Sequence, residues 1–282
     1  MAGRPITLAR LAARTAWAPV VIVAFIALQL VIRLALSPNL EIDEAQFVGE
    51  VDLRLIYSNS HPPLYNWMIR GALELLDWNW VAAVSIPKFI MIAGLYLLVW
   101  DTARREFRDR PESHTAAACA AAALTLMPQI AWQAPITLAH SVMVTFAAAG
   151  VLHAAVCIAR RPTWLNFAWL GIAFSIGALS KYNIFLSTAA LLIAAYSLPA
   201  LRPRLFSRRL TLSAAIFAAL FAVQAWATYS YFLGSSARIQ KLYDTGNKFL
   251  RSIDLPWIGV DGTLGLVLAA AASTAPLLIL WL

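Results

Sequence analysis

The sequence predicts an all-α, multi-pass membrane protein with about eight transmembrane helices. Of its 282 residues, 61% are hydrophobic and only 13% are charged, which lies outside the range of ordinary soluble domains. Long apolar runs alternate with short arginine clusters, and such clusters mark cytoplasmic loops. The net charge of +8 therefore reflects membrane topology, and a nucleic-acid partner is not expected.

The first span is expected from about Ala16 to Leu36. It is long enough to cross a bilayer, and no small-residue cleavage motif follows it, so it is not a removable signal peptide. The arginines before it place the N-terminus in the cytoplasm. The loop that follows, residues 38–78, therefore lies outside. We expect short interfacial helices in it, with Phe47, Val51 and Leu55 on an apolar side.

The later spans keep one consistent orientation, because every arginine cluster between them falls on the same side. The third and fourth spans form a hairpin whose outer turn is predicted at residues 133–135. The expected bounds are about 79–100, 115–132, 136–158, 164–179, a sixth span ending at 198, 210–233 and an eighth span from 258.

The whole chain, 1–282, is interpreted as a single membrane-embedded module. Because the eighth span has no polar stop, the C-terminal remainder of a longer protein is expected to be missing. Cys119 and Cys157 fall in predicted spans, so no disulfide framework is indicated. The sequence has no nucleotide-binding glycine motif and no metal-binding motif. No cofactor is expected, although the residues leave a divalent metal open.

The adjacent carboxylates Asp43 and Glu44 are the first candidates for chemistry. Seven of the 14 acidic residues lie between Glu41 and Asp77, in a chain that is otherwise apolar and basic. Neighbouring side chains on a helix point about 100° apart, so one carboxylate can act as a base while the other orients it or caps the helix. Low-dielectric surroundings raise the proton affinity that a base needs. The alternative is that both only solvate the loop or cap a short helix.

Two basic groups could meet an anionic substrate outside the membrane. The run HPPLYNW from His61 to Trp67 holds a histidine on a backbone that two prolines restrict, and a histidine can donate to a phosphate oxygen. Lys181 lies at the outer end of the fifth span. Each has an ordinary structural explanation, an interfacial turn for the first and a snorkelling anchor for the second.

Further polar residues remain open between packing and substrate contact. His140 and Ser141 follow the predicted hairpin turn, and Trp132, with Gln129 and Gln133, could line a sugar site. The last outer loop has a basic face that a phosphate-bearing lipid could meet. Its basic residues are Arg238, Lys241, Lys248 and Arg251.

The order of these motifs resembles that of membrane glycosyltransferases of the GT-C type. The similar branch is the bacterial family resembling protein O-mannosyltransferases (glycosyltransferase families 39 and 83), which includes lipid A aminoarabinose and galacturonic acid transferases. The resemblance covers roughly residues 17–230. The motifs that carry it are the sequences DEAQ at 43–46, HPPLYNW at 61–67, the polar pair at 140–141 and GALSKY at 177–182.

The resemblance implies an inverting transfer of a sugar from a polyprenyl-phosphate donor to an acceptor such as lipid A, another envelope glycan or a protein. It implies that Asp43 is the base and that Glu44 supports it. Lys181 and His61 would face the donor phosphate, although the aminoarabinose branch has lysine at the position of His61. The implied substrate-lining residues are Tyr65, His140 and Tyr182.

The expected location is the bacterial inner membrane, with a periplasmic active site and with membrane lipids, the lipid-linked donor and the acceptor as partners. A transporter or flippase is the first alternative, but it predicts inverted repeats and broken mid-membrane helices, and the sequence shows neither. An O-antigen ligase or polymerase is the second, and it predicts a large outer loop late in the chain.

Overall fold

The computed structural model describes residues 15–56, 62–136 and 139–233, and all regular elements in these ranges are helical. The α-helices are α1 (Ala18–Leu36), α2 (Ile42–Ala45), α3 (Leu64–Leu75), α4 (Trp80–Glu106), α5 (Ser113–Ala123), α6 (Ala134–Ile136), α7 (His140–Arg160), α8 (Trp164–Ala178), α9 (Ile184–Ser197), α10 (Arg202–Leu205) and α11 (Leu210–Leu233). The predicted all-α class is confirmed. The predicted eighth span lies outside the described residues.

Within the described ranges, α1, α4, α7 and the stretch Leu210–Tyr231 of α11 are long and apolar enough to cross a membrane. The predicted fifth and sixth spans are helices, but α8 and α9 have only 15 and 14 residues. At 1.5 Å per residue they reach about 22 Å, less than the ~30 Å of a hydrocarbon core. The structure therefore supports four spans, or five with a bent pair, and eight stays a prediction.

The predicted third span is not a straight helix. The chain bends by 75° between Ser113–Leu126 and Gln129–Ile136, at a break that contains Pro128. A proline lacks the N–H that would continue the helix and clashes with the preceding turn. Beyond the bend, Gln129–Gln133 forms a π-helical turn that leads into α6. The predicted hairpin turn at 133–135 is therefore wrong, because these residues are helical.

The loop after α1 also differs from its prediction. Its first helix, α2, has four residues and continues as a 3₁₀ turn over Gln46–Gly49. The chain from Glu50 to Ile56 is not helical, so the amphipathic helix expected through Val51 and Leu55 is absent from this stretch. Gly49 is a poor helix former and stands where the helical turn ends. The longer helix of this loop is α3, which follows the proline pair.

Contacts divide the chain into two units, residues 1–224 and 225–282. The first contains two buried apolar clusters. One joins α1, the 3₁₀ turn, α3, α4 and the start of α7, with Phe47, Leu73 and Val84 among its members. The other joins α7, α8, α9 and α10 around Phe167 and Ile158. Of the second unit the structure describes only residues 225–233, the end of α11.

A close approach fixes the turn between α8 and α9. A Cβ at Gly177 would lie 2.5 Å from Cγ1 of Ile184, closer than any real contact. Glycine at this position lets the first residue of α9 pack against the last turn of α8. The intervening residues, which include Ser180 and Lys181, are therefore held against the helix end.

Candidate active site

Glu44 lies at the centre of a buried group of charges. Its side chain is 0% exposed, as is that of Lys88 from α4. Lys88 Nζ donates to Oε1 of Glu44, while Arg33 Nη2 from α1 donates to Oε2 at 2.9 Å. The backbone N–H of Glu41 also donates to Oε2, at 3.1 Å. These contacts tie the first turn of α2 to α1 and α4.

The capping of α2 explains why Glu44 turns inward. Glu41 and Glu44 form a reciprocal capping box, in which each side chain accepts from the other's backbone N–H. This arrangement satisfies N–H groups at the start of a helix. The side chain of Glu44 points into the interior. The side chain of Asp43, its neighbour on the helix, points about 100° away and is exposed.

Asp43 is close to the buried charges although it is not part of them. Its carboxylate lies within electrostatic range of Lys88. Arg33 and Lys88 carry two positive charges against the single negative charge of Glu44, so this group holds an excess positive charge near Asp43. Asp43 is therefore a negative charge near this group, and its side chain is exposed.

Three rings join Phe47, the residue after the DEAQ motif, to two of the other motifs. Phe47 lies 5.0 Å from Tyr65 and 5.1 Å from His140, and Tyr65 lies 4.9 Å from His140, measured between ring centroids. The three rings come from the 3₁₀ turn, from α3 and from the first residue of α7. Tilted rings at these separations are favourable contacts, and all three side chains are buried.

The Tyr65 phenol is held protonated by its surroundings. Burial raises the pKa of Tyr65 well above its usual value, and the nearby negative charge of Glu44 raises this pKa further. Among the described residues the Tyr65 hydroxyl has no hydrogen-bond partner. A buried donor without a partner is unusual and calls for an explanation.

The turn after α8 contacts both α3 and α7. The Leu64 N–H donates to the Leu179 carbonyl at 3.0 Å, which joins the HPPLYNW motif to the GALSKY motif. Ser180 Oγ donates to the His140 carbonyl at 3.1 Å, and Lys181 Nζ donates to Ser141 Oγ at 3.2 Å. Residues from three separate motifs, with Phe47 beside the fourth, therefore lie in one connected cluster.

Most of the expected site residues lie in or beside this cluster. His140 is buried between Phe47 and Tyr65, Lys181 is half-buried, and Tyr182 is exposed in the same turn. Tyr65 is fully buried in the interior. His61 lies outside the described residues. Within the described part of the chain no group of three potential metal ligands occurs.

The partners of Glu44 do not follow from the sequence patterns. An arginine near the end of a span, such as Arg33, can extend to the interface and needs no protein partner, and Lys88 belongs to none of the motifs. The available signal is the position of Lys88, nine residues into a long apolar helix, since a charge inside a span needs a partner. The sequence does not show that this partner is Glu44, 44 residues earlier.

A sequence model of the family described as dolichyl-phosphate-mannose-protein mannosyltransferase matches residues 60–227. The chain belongs to this family. The match begins beside the proline pair of α3 and extends into α11, so it includes the contacts between α3, α7 and the turn after α8. The resemblance expected from the motifs is thereby confirmed, and the family is one of membrane glycosyltransferases.

Two curated proteins of Rhizobium johnstonii are similar to this family member. The lipopolysaccharide core galacturonosyltransferase RgtB is 33% identical over 71% of this chain and 40% of its own length. The lipopolysaccharide core galacturonosyltransferase RgtA is 30% identical over 63% of this chain and 34% of its own length. The chain thus spans well under half the length of these relatives. No solved structure matches it.

Proposed function

We propose that the protein is a glycosyltransferase that moves a uronic acid, of the galacturonosyl type, from a polyprenyl-phosphate donor to a lipopolysaccharide core acceptor. The observation that carries this proposal is the single cluster that joins three of the motifs to Phe47, the residue after the fourth, in a chain of this family. The sugar and acceptor class come from the activity named for the two relatives. The lipid-linked donor comes from the motif resemblance.

In the proposed reaction Asp43 is the base. It takes the proton of the acceptor hydroxyl, whose oxygen forms a bond to the anomeric carbon of the sugar. The bond between that carbon and the phosphate oxygen breaks, and polyprenyl phosphate leaves with the electron pair. Attack opposite to the leaving group inverts the anomeric configuration. An exposed carboxylate on a helix that Glu44 anchors suits this role, because the anchor fixes its position.

Lys181, with His61 as a helper, is proposed to hold the leaving phosphate. The charge on this phosphate grows in the transition state, and a cation positioned there beforehand stabilises it. The 3.2 Å contact with Ser141 and the compact turn after α8 hold the Lys181 ammonium group. Tyr182 is exposed and remains a proposed substrate-lining residue, whereas Tyr65 and His140 are buried and would have to move to contact a substrate. No metal takes part in this proposal.

An apolar cavity of about 370 Å³ between α8, α9 and α11 suits the isoprenoid chain of the donor. Phe174, Phe185 and Phe217 are among its lining residues. Phe185 is four residues beyond Lys181 along the chain, so a lipid in this cavity would approach the turn that carries the proposed phosphate contact. Apolar cavities of about 300–1,000 Å³ are usual for drug-sized ligands, so this cavity would hold a part of the isoprenoid chain.

The proposed topology has eight spans in the inner membrane, with the N-terminus in the cytoplasm and the Asp43 loop in the periplasm. In this topology α8 and α9 cross the membrane although they are short. The turn at Lys181 and the arginines near α10 are their polar ends. Short helices can be accommodated by local thinning of the bilayer and by snorkelling side chains.

The direct test is transfer by the full-length protein in membrane vesicles. Undecaprenyl phosphate galacturonate and a purified lipopolysaccharide with a truncated core are mixed, and the product is isolated and analysed by NMR. We expect a new galacturonosyl linkage with the anomeric configuration opposite to that of the donor. A product with retained configuration would contradict the proposal. Transfer from a different activated sugar, but not from this donor, would contradict it as well.

A further inference from the structure

A second cleft lies between α1 and the bent segment around α6, beside the loop that carries α2. Its volume is about 460 Å³. The polar side chains along it are Gln29 and Arg33 from α1, Ser37 at the end of that helix and Glu41 from the cap of α2. Trp132, from the π-helical turn, is 70% exposed and forms part of the opposite wall.

We infer that this cleft binds the saccharide of the membrane-anchored acceptor glycolipid, with Trp132 as a stacking platform and Gln29 as a polar contact. The inference rests on the proposed function and adds the acceptor's place and a specificity-determining residue. It assigns the donor and the acceptor to different sides of the molecule's first unit.

The chemistry of the walls fits a sugar ring. A pyranose has an apolar C–H face and a rim of hydroxyl groups. An exposed indole ring can cover the first, and an amide, which carries both donors and acceptors, can bond the second. Gln29 lies inside an apolar span and has no hydrogen-bond partner among the described residues. A polar side chain in a span is costly unless it finds a partner, and a bound hydroxyl group would supply one.

The remaining walls indicate an acceptor with a lipid anchor. Apolar residues of α1 also line the cleft, among which Leu36 is 77% exposed. A free sugar would leave this surface uncovered, whereas an acyl chain would cover it. The donor's isoprenoid chain is a poorer occupant, because it cannot satisfy Gln29 or the charged groups, and the cavity near Phe185 offers it apolar walls.

The cleft also opens where the chemistry is proposed. Glu41 lines it and lies two residues before Asp43, and Arg33 lines it while binding Glu44. A saccharide seated against Trp132 would therefore present its hydroxyl groups beside the start of α2. The π-helical turn that projects Trp132 is itself a feature that often occurs at functional sites.

The first experiment separates acceptor from donor binding in the full-length protein. For Trp132→Ala we expect the KM for the truncated-core lipopolysaccharide to rise about tenfold or more, with the KM for the lipid-linked donor within about twofold. Trp132→Phe should recover most of the loss, since it restores an aromatic face. Trp17→Ala, at another exposed tryptophan on the α1 segment, is the matched control and should change neither KM.

The second experiment needs no turnover. The photoreactive residue p-benzoylphenylalanine is placed at Leu36 or, as a control, at Leu186 of α9, which is similarly exposed but does not line the cleft. We expect radiolabelled truncated-core lipopolysaccharide to crosslink at position 36 and not at 186. Crosslinking of radiolabelled undecaprenyl phosphate at 36 instead, or equal lipopolysaccharide labelling at both positions, would overturn the inference. Transfer by the unmodified protein independently reports whether the proposed function itself fails.

Discussion

Lys88 and Glu44 are 44 residues apart in sequence and form an ion pair in which both side chains are fully buried. Arg33 completes the group from α1. A buried charge is costly unless it is paired and hydrogen-bonded. The contacts around Glu44 therefore act as a clamp that holds α2 between two long helices. Asp43 is the adjacent residue on the same turn, so this clamp also fixes the position of Asp43.

The first prediction concerns the clamp itself. Glu44→Gln leaves the Lys88 ammonium group buried without its counter-charge, which costs about 3–5 kcal/mol in comparable cases. We expect a clearly lower thermal midpoint for the purified protein in detergent, measured by intrinsic fluorescence. Glu74→Gln breaks an exposed pair with Arg70, which is worth at most ~1 kcal/mol, so this control should change the midpoint little.

A double variant sharpens this test. In Glu44→Gln combined with Lys88→Met, the unpaired ammonium group is gone, and Arg33 keeps its bonds to the carbonyls of Ser37 and Asn39. We expect the double variant to be more stable than Glu44→Gln alone. If the losses of stability caused by the two single substitutions simply add in the double variant, Glu44 and Lys88 do not stabilise one another. The interpretation of these contacts as a clamp would then be wrong.

The second prediction separates the two adjacent carboxylates. Asp43→Asn should lower transfer about a thousandfold, within the range that a general base contributes, while the thermal midpoint stays near that of the unchanged protein, because Asp43 is exposed. Asp52→Asn, on the same loop and also exposed, is the control and should keep its activity. Near-normal transfer by the Asp43→Asn variant would remove Asp43 from the reaction.

The positions of the motif residues could be predicted better than the elements between them. The apolar runs that form α1, α4, α7 and α11 are identifiable because period and hydropathy are local properties of the chain. The bend at Pro128 and the break at Gly49 are not predicted, although each has a local cause. Such residues show that a helix can end, but the surrounding packing decides where the chain goes next.

The site was predictable as a set of residues but not as a set of contacts. Asp43 and Lys181 stand out because charged residues are rare in this chain, and the order of the motifs carries the family. The Lys88–Glu44 pair and the rings of Phe47, Tyr65 and His140 join residues far apart in sequence. Such pairings depend on how the helices pack, which a single sequence does not encode in any local pattern.

The third prediction concerns the proposed phosphate contact. Lys181→Ala should lower kcat about a hundredfold, since removing one preorganised donor to a developing charge has effects of this size. The KM for the donor should change much less, because the contact strengthens in the transition state. Ser141→Ala removes only the hydroxyl that Lys181 contacts and should have a small effect. Equal losses for the two variants would mean that Lys181 serves to position Ser141.

The fourth prediction uses the buried phenol of Tyr65. Since its hydroxyl has no partner among the described residues, Tyr65→Phe removes an unsatisfied polar group and should leave the protein as stable or up to about 1 kcal/mol more stable. The folded protein raises the pKa of this phenol, so its contribution to stability is complete below the ordinary value near 10 and is lost as the pH rises above it.

The comparison is therefore made as a function of pH. Between about pH 10 and pH 11, around the ordinary phenol pKa, the thermal midpoint of the unchanged protein should fall more than that of the Tyr65→Phe variant. The reason is that ionisation of Tyr65 at this pH stabilises the unfolded state of the unchanged protein, whereas the variant has no phenol to ionise at this position. A large loss of stability in the variant at neutral pH would show that the hydroxyl has a structural partner.

The last prediction tests the side of the membrane on which the site lies. In a protein whose native cysteines, Cys119 and Cys157 among them, are replaced by alanine, a single cysteine is introduced at position 52 or at position 108. Both positions are exposed, but Asp52 lies in the loop of Asp43, whereas Arg108 follows α4 within an arginine cluster that marks the cytoplasmic side. A membrane-impermeant maleimide should label the cysteine at position 52 in intact spheroplasts and the cysteine at position 108 only after lysis. The reverse pattern would place Asp43 in the cytoplasm, where a periplasmic acceptor could not reach it.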